Sequence, residues 1–382
     1  MESSRLDRLS PETPLVYWQE GLQPRQALWR SENHSKPPVR VQVVDDAIKA
    51  DQAYRLACEG TALVWRGDFQ NARQLLQAMA RRIDRKPAKT SSQPLEAFHL
   101  HRQAQAQRAR VLGMLVVELD GDYDIALRRA PEVREACLQA YGVAGQVSLV
   151  SLRELQGVVG AYEWRKKGVD VPALEARIHP HYGVFSPVRG EYVDLVAQVP
   201  LSADTLAFDI GTGSGVLAAI LAKRGVKKVI ATDQDARALA CARDNMQRLG
   251  LEQQVEVLEC NLFPTGKAPL IVCNPPWIPA KANAAIEYAI YDPDSAMLKG
   301  FLNGVTVHLS PGGEAWLILS DIAERLGLRT RQQLLDMIER AGLRVLERLD
   351  IQPRHSRAND ASDPLHQARR AEVTSLWRLV AA

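Results

Sequence analysis

The order of apolar and polar positions divides the chain into two parts with different secondary structure. Between residues 45 and 168, apolar residues recur three and four positions apart. This spacing predicts amphipathic helices, most clearly at 71–83 (NARQLLQAMARRI) and 151–164 (SLRELQGVVGAYEW). We therefore expect residues 1–180 to form a mainly helical N-terminal domain.

Capping residues and a proline-rich segment mark the limits of these helices. Asp68 is expected to be the N-cap of the first helix, and Ser151 with Glu154 fits a capping box at the second. The segment 86–94 (KPAKTSSQP) contains two prolines and small polar residues that cannot sustain a helix. It is predicted to be an exposed connection.

After residue 180, short apolar runs alternate with amphipathic segments, a pattern typical of a parallel α/β sheet. Seven runs are predicted strands: TLAFDI, KKVIATD, QVEVLEC, APLIVCN, GEAWLILS, LRVLERLDI and VTSLWRLVA. Helices are predicted in VLAAILAKRG, ARALACARDNMQRLG and QQLLDMIERAG. We therefore predict an α/β fold with a seven-stranded sheet in residues 181–382.

Composition restricts the class of protein but predicts no further secondary structure. The 382 residues suffice for two domains, and 46% hydrophobic with 24% charged residues is typical of a folded globular protein. A net charge of +3 does not by itself indicate a nucleic-acid partner. The first residues lack a signal-peptide pattern and no apolar run is long enough to span a bilayer, so we expect a cytoplasmic protein without a membrane partner.

Cysteine and histidine positions do not favour a metal site. The scattered cysteines form no C-x-x-C pair, so we expect reduced thiols. The histidine pairs 99 with 101 and 179 with 181 lack a companion cysteine or an HExxH pattern. We predict no metal cofactor.

The segment DIGTGSG follows the first predicted strand of the second part. Its glycines, Gly211, Gly213 and Gly215, allow a tight turn and are expected to bring backbone N–H groups close to a ligand. Asp233 ends the next predicted strand, where a carboxylate can accept hydrogen bonds from ribose hydroxyls. Loop and acid together predict a nucleoside-bearing ligand.

The segment VCNPPWIP (272–279) is the most specific motif in the chain. Pro275 and Pro276 stiffen the backbone directly after a predicted buried strand. The Asn274 side-chain oxygen and the Pro275 carbonyl could accept both hydrogens of a planar nitrogen and so localise its lone pair, while Trp277 offers a face for stacking. This arrangement would activate an amide or exocyclic amino nitrogen as a nucleophile.

With these motifs in this order, residues 205–320 resemble class I S-adenosylmethionine-dependent methyltransferases of the Asn-Pro-Pro-aromatic type. The resemblance implies a Rossmann-like seven-stranded sheet with a reversed last strand and S-adenosyl-L-methionine as cofactor. It also implies cofactor contacts at Asp209, Gly211, Thr212, Gly213, Gly215, Asp233, Gln234, Asn261 and Leu262. Asn261, where the family often has an acid, and Trp277, where Tyr or Phe is usual, depart from its pattern.

Two branches of this family share short stretches with the chain. VCNPPWIP resembles the corresponding stretch of release-factor glutamine methyltransferases, and HYGVFSPVRGEYVDLVAQ (181–198) resembles an entry segment of ribosomal RNA guanine-N2 methyltransferases. The acceptor is thus expected to be protein or RNA. Tyr182, Phe185 and Pro187 are candidate substrate contacts, although a role in the core or in a linker is equally compatible with the sequence.

The first part contains a basic cluster, and it leaves the substrate question open. The cluster could follow a phosphate backbone or form a solvated helix end; its members are Arg81, Arg82, Arg85, Lys86 and Lys89, with Arg165 to Lys167 as possible additions. The sequence is also compatible with a small-molecule methyltransferase and with an inactive cofactor- or RNA-binding protein. Oligomeric state cannot be read from the sequence.

Overall fold

The computed structural model describes residues 14–86, 89–188, 190–282, 285–353 and 363–382. Its contacts divide the chain into two compact units. The first unit contains the described residues before 89 together with residues 102–162. The second unit contains residues 89–101 and the described residues from 163 onwards. The division differs from the boundary expected after residue 180, because residues 89–101 and 163–180 group with the later part of the chain.

The first unit is built around a six-stranded sheet with strand order β1-β2-β6-β5-β4-β3. Its strands are β1 (Leu15–Glu20), β2 (Gln23–Arg30), β3 (Arg40–Val44), β4 (Thr61–Trp65), β5 (Leu115–Leu119) and β6 (Ser148–Ser151). The helices in this part of the sequence are α1 (Ala50–Cys58), α2 (Phe69–Asp84), α3 (Pro94–Leu112), α4 (Arg134–Tyr141) and α5 (Leu152–Lys167). The sheet makes this unit α/β.

The prediction of a mainly helical domain missed this sheet. The helices predicted at 71–83 and 151–164 are present as α2 and α5. Strand β4 pairs in parallel with both β3 and β5, and each of its residues is buried. A short strand covered on both faces shows no alternation of apolar and polar residues, so the period that identifies a strand is absent.

The predicted helix starts had different outcomes. Asp68 is the N-cap of α2 and accepts a hydrogen bond from the Gln70 N–H at 2.9 Å. At α5 the Ser151 hydroxyl lies 3.5 Å from the Glu154 N–H, but the Glu154 carboxylate accepts from the Tyr141 hydroxyl instead of completing a capping box. Of the two hydrogen bonds of the predicted capping box, the one to the Ser151 hydroxyl is present and the one to the Glu154 carboxylate is wrong.

The second unit contains the predicted seven-stranded sheet, with order β11-β10-β9-β12-β13-β15-β14. Its strands are β9 (Leu206–Ile210), β10 (Lys228–Asp233), β11 (Val255–Glu259), β12 (Ala268–Cys273), β13 (Leu309–Ser320), β14 (Leu343–Ile351) and β15 (Thr374–Ala381); β7 (Val169–Val171) and β8 (Ala176–Ile178) pair separately. Its helices are α6 (Glu191–Gln198), α7 (Val216–Lys223), α8 (Ala236–Leu249), α9 (Ala296–His308), α10 (Ile322–Arg325), α11 (Arg331–Arg340) and α12 (His366–Arg370). Strand β15 is antiparallel to both neighbours, so the reversed last strand is confirmed.

The parallel strands bring three loops to one edge of this sheet. Ile210 of β9 pairs with Thr232 of β10 on one side and with Cys273 of β12 on the other. The segments that follow these strands therefore lie side by side, as expected at the carboxyl ends of parallel strands. They are the glycine loop, the end of β10 at Asp233 and the Asn-Pro-Pro-Trp turn.

Apolar cores cover both faces of the seven-stranded sheet. Helices α6 and α7 contribute to one core, and α9 and α11 contribute to the other. Across the described parts of the chain, no helix is both long and apolar enough to cross a membrane. All five cysteines are free in the structure.

Candidate active site

The glycine loop forms a tight turn that requires residues without side chains. Gly211, Gly213 and Gly215 have φ values of +72°, +54° and +82°, a region that other residues rarely adopt. A Cβ on Gly215 would lie 2.9 Å from the Met246 methyl carbon, and one on Gly211 would collide with the Met297 methyl group. The glycines thus allow both the turn and close packing by α8 and α9.

The loop's backbone N–H groups are used differently from the sequence prediction. Those of Gly211 and Thr212 donate to the Thr232 carbonyl at 2.9 and 2.8 Å, and that of Gly213 donates to the Asp233 carboxylate at 3.0 Å. The expectation that the glycines present their N–H groups to a ligand is wrong for all three. Residues of β10 accept the bonds of Gly211 and Gly213, and the Thr212 carbonyl accepts that of Gly215 at 2.9 Å. A Cβ on Gly213 would meet nothing within 4 Å, so open space lies beside the loop there.

Asp209 joins the loop to the helix that follows it. One of its carboxylate oxygens accepts hydrogen bonds from the Thr212 hydroxyl at 2.6 Å and the Ala218 N–H at 3.1 Å. The residue is 1% exposed, and this burial raises the pKa of its carboxyl group to about 6. Asp209 therefore fixes the shape of the loop.

Asp233 lies at the rim of the loop, and its carboxylate can accept further hydrogen bonds. One carboxylate oxygen accepts from the Asp235 N–H and the other from the Gly213 N–H, both at 3.0 Å. Burial raises the pKa of Asp233 above its ordinary value. Since each carboxylate oxygen can accept two hydrogen bonds, both can still accept from a ligand hydroxyl. Gln234 follows with an exposed side chain.

The segment after β11 approaches the same edge of the sheet. Asn261 is exposed, and Leu262 has a φ of +68°. The Leu262 carbonyl accepts a hydrogen bond from the Thr232 hydroxyl at 2.6 Å, which ties this segment to the end of β10. A Cβ on Gly300 would lie only 2.7 Å from a Leu262 methyl carbon, so glycine allows α9 to pack closely here.

The Asn-Pro-Pro-Trp turn directly follows β12, beside the glycine loop. The Trp277 indole N–H donates a hydrogen bond to the Asn274 side-chain oxygen at 2.9 Å. Trp277 is half-buried and packs against the apolar cores on both faces of the sheet. The sequence placed Trp277 beside a substrate but did not predict that its N–H would hold the asparagine side chain.

Asp292 is a residue of this edge that the sequence reasoning missed. Its buried carboxylate accepts hydrogen bonds from the Met297 and Leu298 N–H groups at the start of α9, at 2.9 and 3.1 Å. Its own N–H donates to the Ile278 carbonyl at 2.8 Å. Asp292 therefore links the segment after the Asn-Pro-Pro-Trp turn to α9. An aspartate shortly before an apolar helical run was the available signal.

Comparison with known proteins identifies the domain that contains these loops. The family model described as "Methyltransferase small domain" matches residues 175–326, which include the glycine loop, Asp233 and the Asn-Pro-Pro-Trp turn. Residues 175–326 form a class I methyltransferase domain. The sequence prediction of a methyltransferase is thereby confirmed for this part of the chain.

Curated relatives match the methyltransferase domain over part of their length. The chain is 28% identical over 199 residues to a release factor glutamine methyltransferase of Gloeobacter violaceus; the match covers 48% of this chain and 67% of the relative. It is 29% identical over 153 residues to a tRNA1(Val) (adenine(37)-N6)-methyltransferase of Cytophaga hutchinsonii, covering 36% and 64%. The chain thus spans about two thirds of each relative.

A solved methyltransferase structure from Pyrococcus furiosus is 17% identical, with a TM-score of 0.39, and the match covers 60% of this chain and 99% of that one.

The three candidate substrate residues of the methyltransferase domain lie near α8 and the adjoining core. The Tyr182 ring lies 5.7 Å from the Arg237 guanidinium at the start of α8. Phe185 packs against the core that includes α6 and α7, and Pro187 is buried. Helix α8 begins just after Asp233, so Tyr182 lies near the carboxyl end of β10. The substrate role of these residues stays a prediction.

Two cations of the basic cluster, which the sequence left open as a phosphate-binding group or a solvated helix end, have partners within the protein. Arg82 forms an ion pair with Asp51, and Arg165 pairs with Asp244 at 3.2 Å. His181 also contacts Asp244, with 3.1 Å between its Nε2 and a carboxylate oxygen. In the segments that the structure describes, no three histidine, cysteine or acidic side chains lie close enough together to hold a metal.

Proposed function

We propose that this chain transfers a methyl group from S-adenosyl-L-methionine to a planar amide or exocyclic amino nitrogen of a macromolecule. One observation carries the proposal. The pairing of Ile210 with Cys273 sets Asn274 beside the glycine loop that starts at Gly211. An acceptor nitrogen held at Asn274 would therefore face a methyl group bound at the loop.

The residues at the rim of the loop fit this cofactor. Both oxygens of Asp233 retain acceptor capacity for two ribose hydroxyls, and the space beside Gly213 is open. We assign the adenine side to Asn261 and Leu262, and the methionine side to the loop between Asp209 and Gly215. When bound, S-adenosyl-L-methionine supplies an electrophilic methyl group on a positively charged sulfur.

The Asn-Pro-Pro-Trp turn would activate the acceptor nitrogen. The lone pair of an amide or base amino nitrogen is delocalised, so the nitrogen is a weak nucleophile. The Asn274 side-chain oxygen and the Pro275 carbonyl can each accept one of its hydrogens, which localises the lone pair towards the methyl group. Because an amide oxygen accepts two hydrogen bonds, the bond from Trp277 leaves Asn274 able to bind the acceptor.

The acceptor class follows from this geometry and from the relatives. The half-buried Trp277 ring offers a flat apolar face for a planar group. The two relatives are named for methylation of a release-factor glutamine and of a tRNA adenine N6, and both acceptors contain a planar nitrogen group. Within residues 1–180, we assign substrate recognition to the unit with the six-stranded sheet.

Two variants of the full chain separate the two halves of this proposal. Asn274→Ala should abolish transfer of labelled methyl groups to the macromolecules of a cell extract while leaving the dissociation constant of S-adenosyl-L-methionine unchanged. Asp233→Ala should weaken cofactor binding at least tenfold through the loss of two ribose hydrogen bonds, each to a charged group. Undiminished transfer by Asn274→Ala would refute the assigned role. Pretreating the extract with protease or ribonuclease identifies the acceptor class.

A further inference from the structure

Arg329 is a buried cation with two side-chain nitrogens that have no hydrogen-bond partner among the described residues. The residue is 7% exposed, and within the described structure its Nε and Nη2 nitrogens have no hydrogen-bond partner. Buried charged groups are normally paired, because an unpaired charge removed from water is strongly destabilising. Other interactions in the fold must therefore keep this side chain buried. An anionic ligand would supply the hydrogen-bond acceptors and the negative charge that it lacks.

The backbone fixes Arg329 in a short connection between two helices. The Leu328 and Arg329 N–H groups both donate to the Ala323 carbonyl of α10, at 2.8 and 3.3 Å, and Thr330 then caps α11. Helix α10 follows the carboxyl end of β13, the strand beside β12. Arg329 therefore belongs to the same edge of the sheet as the Asn-Pro-Pro-Trp turn.

Packing joins this connection to the turn. Leu328, Trp277 and Ile278 all pack against one apolar cluster, whose buried members are Phe98, Ile322, Leu326 and Leu365. Leu328, the residue before Arg329, thus contacts the same apolar cluster as Trp277, where we place the acceptor. A ligand of Arg329 would be bound next to that acceptor.

The acidic groups near Arg329 are engaged elsewhere. Asp292 and Glu324 are close enough to influence its pKa, which burial lowers, and Arg331 also lies nearby. The Asp292 carboxylate caps α9, while Glu324 is bonded to Arg331 at 2.8 and 2.9 Å. Neither acid is bonded to the free nitrogens of Arg329, so its positive charge is available to a further anion.

We propose that Arg329 binds a backbone phosphate of a nucleic-acid acceptor, which makes the methylated nitrogen that of a base. The inference rests on the proposed methyltransferase function. Nε and Nη2 form one edge of the guanidinium group and can donate two parallel hydrogen bonds to a phosphate. Every nucleotide carries a phosphate at a fixed distance from its base, whereas a glutamine brings no anionic group of its own. Entry of the acceptor must uncover the two nitrogens.

Anion binding tests this proposal without any methyl transfer. The melting temperature of the full chain is measured in sodium phosphate, sodium acetate and sodium chloride at equal ionic strength, for wild type, Arg329→Lys, Arg329→Gln and Arg325→Gln. Arg325 is the matched control, since it is a nearby arginine already paired with Asp321 at 2.8 Å. Phosphate should raise the melting temperature of wild type and Arg325→Gln in a saturable way.

The Arg329 variants should respond differently. Arg329→Gln should lose the phosphate shift but melt higher than wild type in chloride, because it removes an unpaired buried charge. Arg329→Lys keeps the charge without the paired donors, so its half-saturating phosphate concentration should rise roughly tenfold. An equal shift in Arg329→Gln, or no shift in wild type, would overturn the proposal. Saturation by acetate but not phosphate would indicate a carboxylate of a protein acceptor instead. Failure of the methyltransferase proposal would appear separately, as undiminished transfer by Asn274→Ala.

Discussion

Replacing Trp277 with phenylalanine tests whether the indole N–H positions the Asn274 side chain for its proposed role in methyl transfer. The substitution keeps an aromatic face for the acceptor but removes the 2.9 Å hydrogen bond to the Asn274 side-chain oxygen. Without that bond the amide group can rotate by half a turn and present its NH₂ group to the acceptor. Two hydrogen-bond donors would then face each other, and the acceptor nitrogen would not be activated.

The size of the effect follows from the geometry of the bond. Both residues are half-buried, and a neutral hydrogen bond in such surroundings contributes about 1 kcal/mol. If this free energy holds the productive orientation, its loss lowers the rate of methyl transfer roughly five- to tenfold. Trp277→Leu should have a larger effect, because it also removes the surface on which the acceptor stacks.

Initial rates of labelled methyl incorporation at saturating S-adenosyl-L-methionine provide the assay. Trp316→Phe, in the middle of the sheet, is the matched control. It removes a 3.1 Å hydrogen bond from the indole N–H to Glu314, whose carboxylate stays bonded to Arg378. Trp316→Phe should lose at least as much stability as Trp277→Phe, because its indole bond is buried and goes to a charged group, but only Trp277→Phe should lose rate. A double-mutant cycle with Asn274→Ala should give a coupling free energy of about 1 kcal/mol in urea unfolding. An unchanged rate in Trp277→Phe, or zero coupling, would refute the positioning role.

Two further predictions concern stability. Burial raises the pKa of Asp209 to about 6, so the folded state holds the proton more tightly than the unfolded chain, and the contribution of this group to stability falls as pH rises through that value. Relative to Asp209→Asn, wild type should therefore lose up to about 3 kcal/mol of unfolding free energy between about pH 4 and pH 8 in urea titrations; parallel curves would contradict this. Gly304→Ala in α9 would place a Cβ 2.5 Å from the Phe263 ring and should cost about 1–3 kcal/mol, whereas Gly160→Ala in α5 meets nothing within 4 Å and should stabilise by about 0.5–1 kcal/mol. Melting temperatures that shift in the same direction would disprove the packing argument.

The strands of the second unit could be predicted because local signals mark their ends. Apolar runs there stop at glycines, at Asp233 or at the prolines after Asn274, and amphipathic helices follow. The sheet of the first unit gave weaker signals. Its strands are short, and β4 is buried on both faces, so its sequence resembles a fragment of a buried helix as much as a strand.

The candidate site shows a similar division between local and non-local information. The positions of the glycine loop and of Asn274 follow from motifs in single segments. The bonds from the loop's N–H groups to Thr232 and Asp233 depend on the pairing of β9 with β10, which brings together residues about twenty positions apart. The bond between Asp292 and α9 spans only five residues, but it joins polar groups that a hydrophobic pattern does not mark. Hydrophobic patterns carry no information about such bonds.

Arg329 is the residue for which this difference has the largest consequence. In the sequence it is one of many arginines, between two helices and outside any motif. Only the fold shows that its Nε and Nη2 nitrogens are enclosed without a partner in the described part of the chain, while Arg325 and Arg331, close in sequence, are already paired. The motifs predict which nitrogen chemistry the turn supports; the unpaired charge is what distinguishes a nucleotide acceptor from a protein amide.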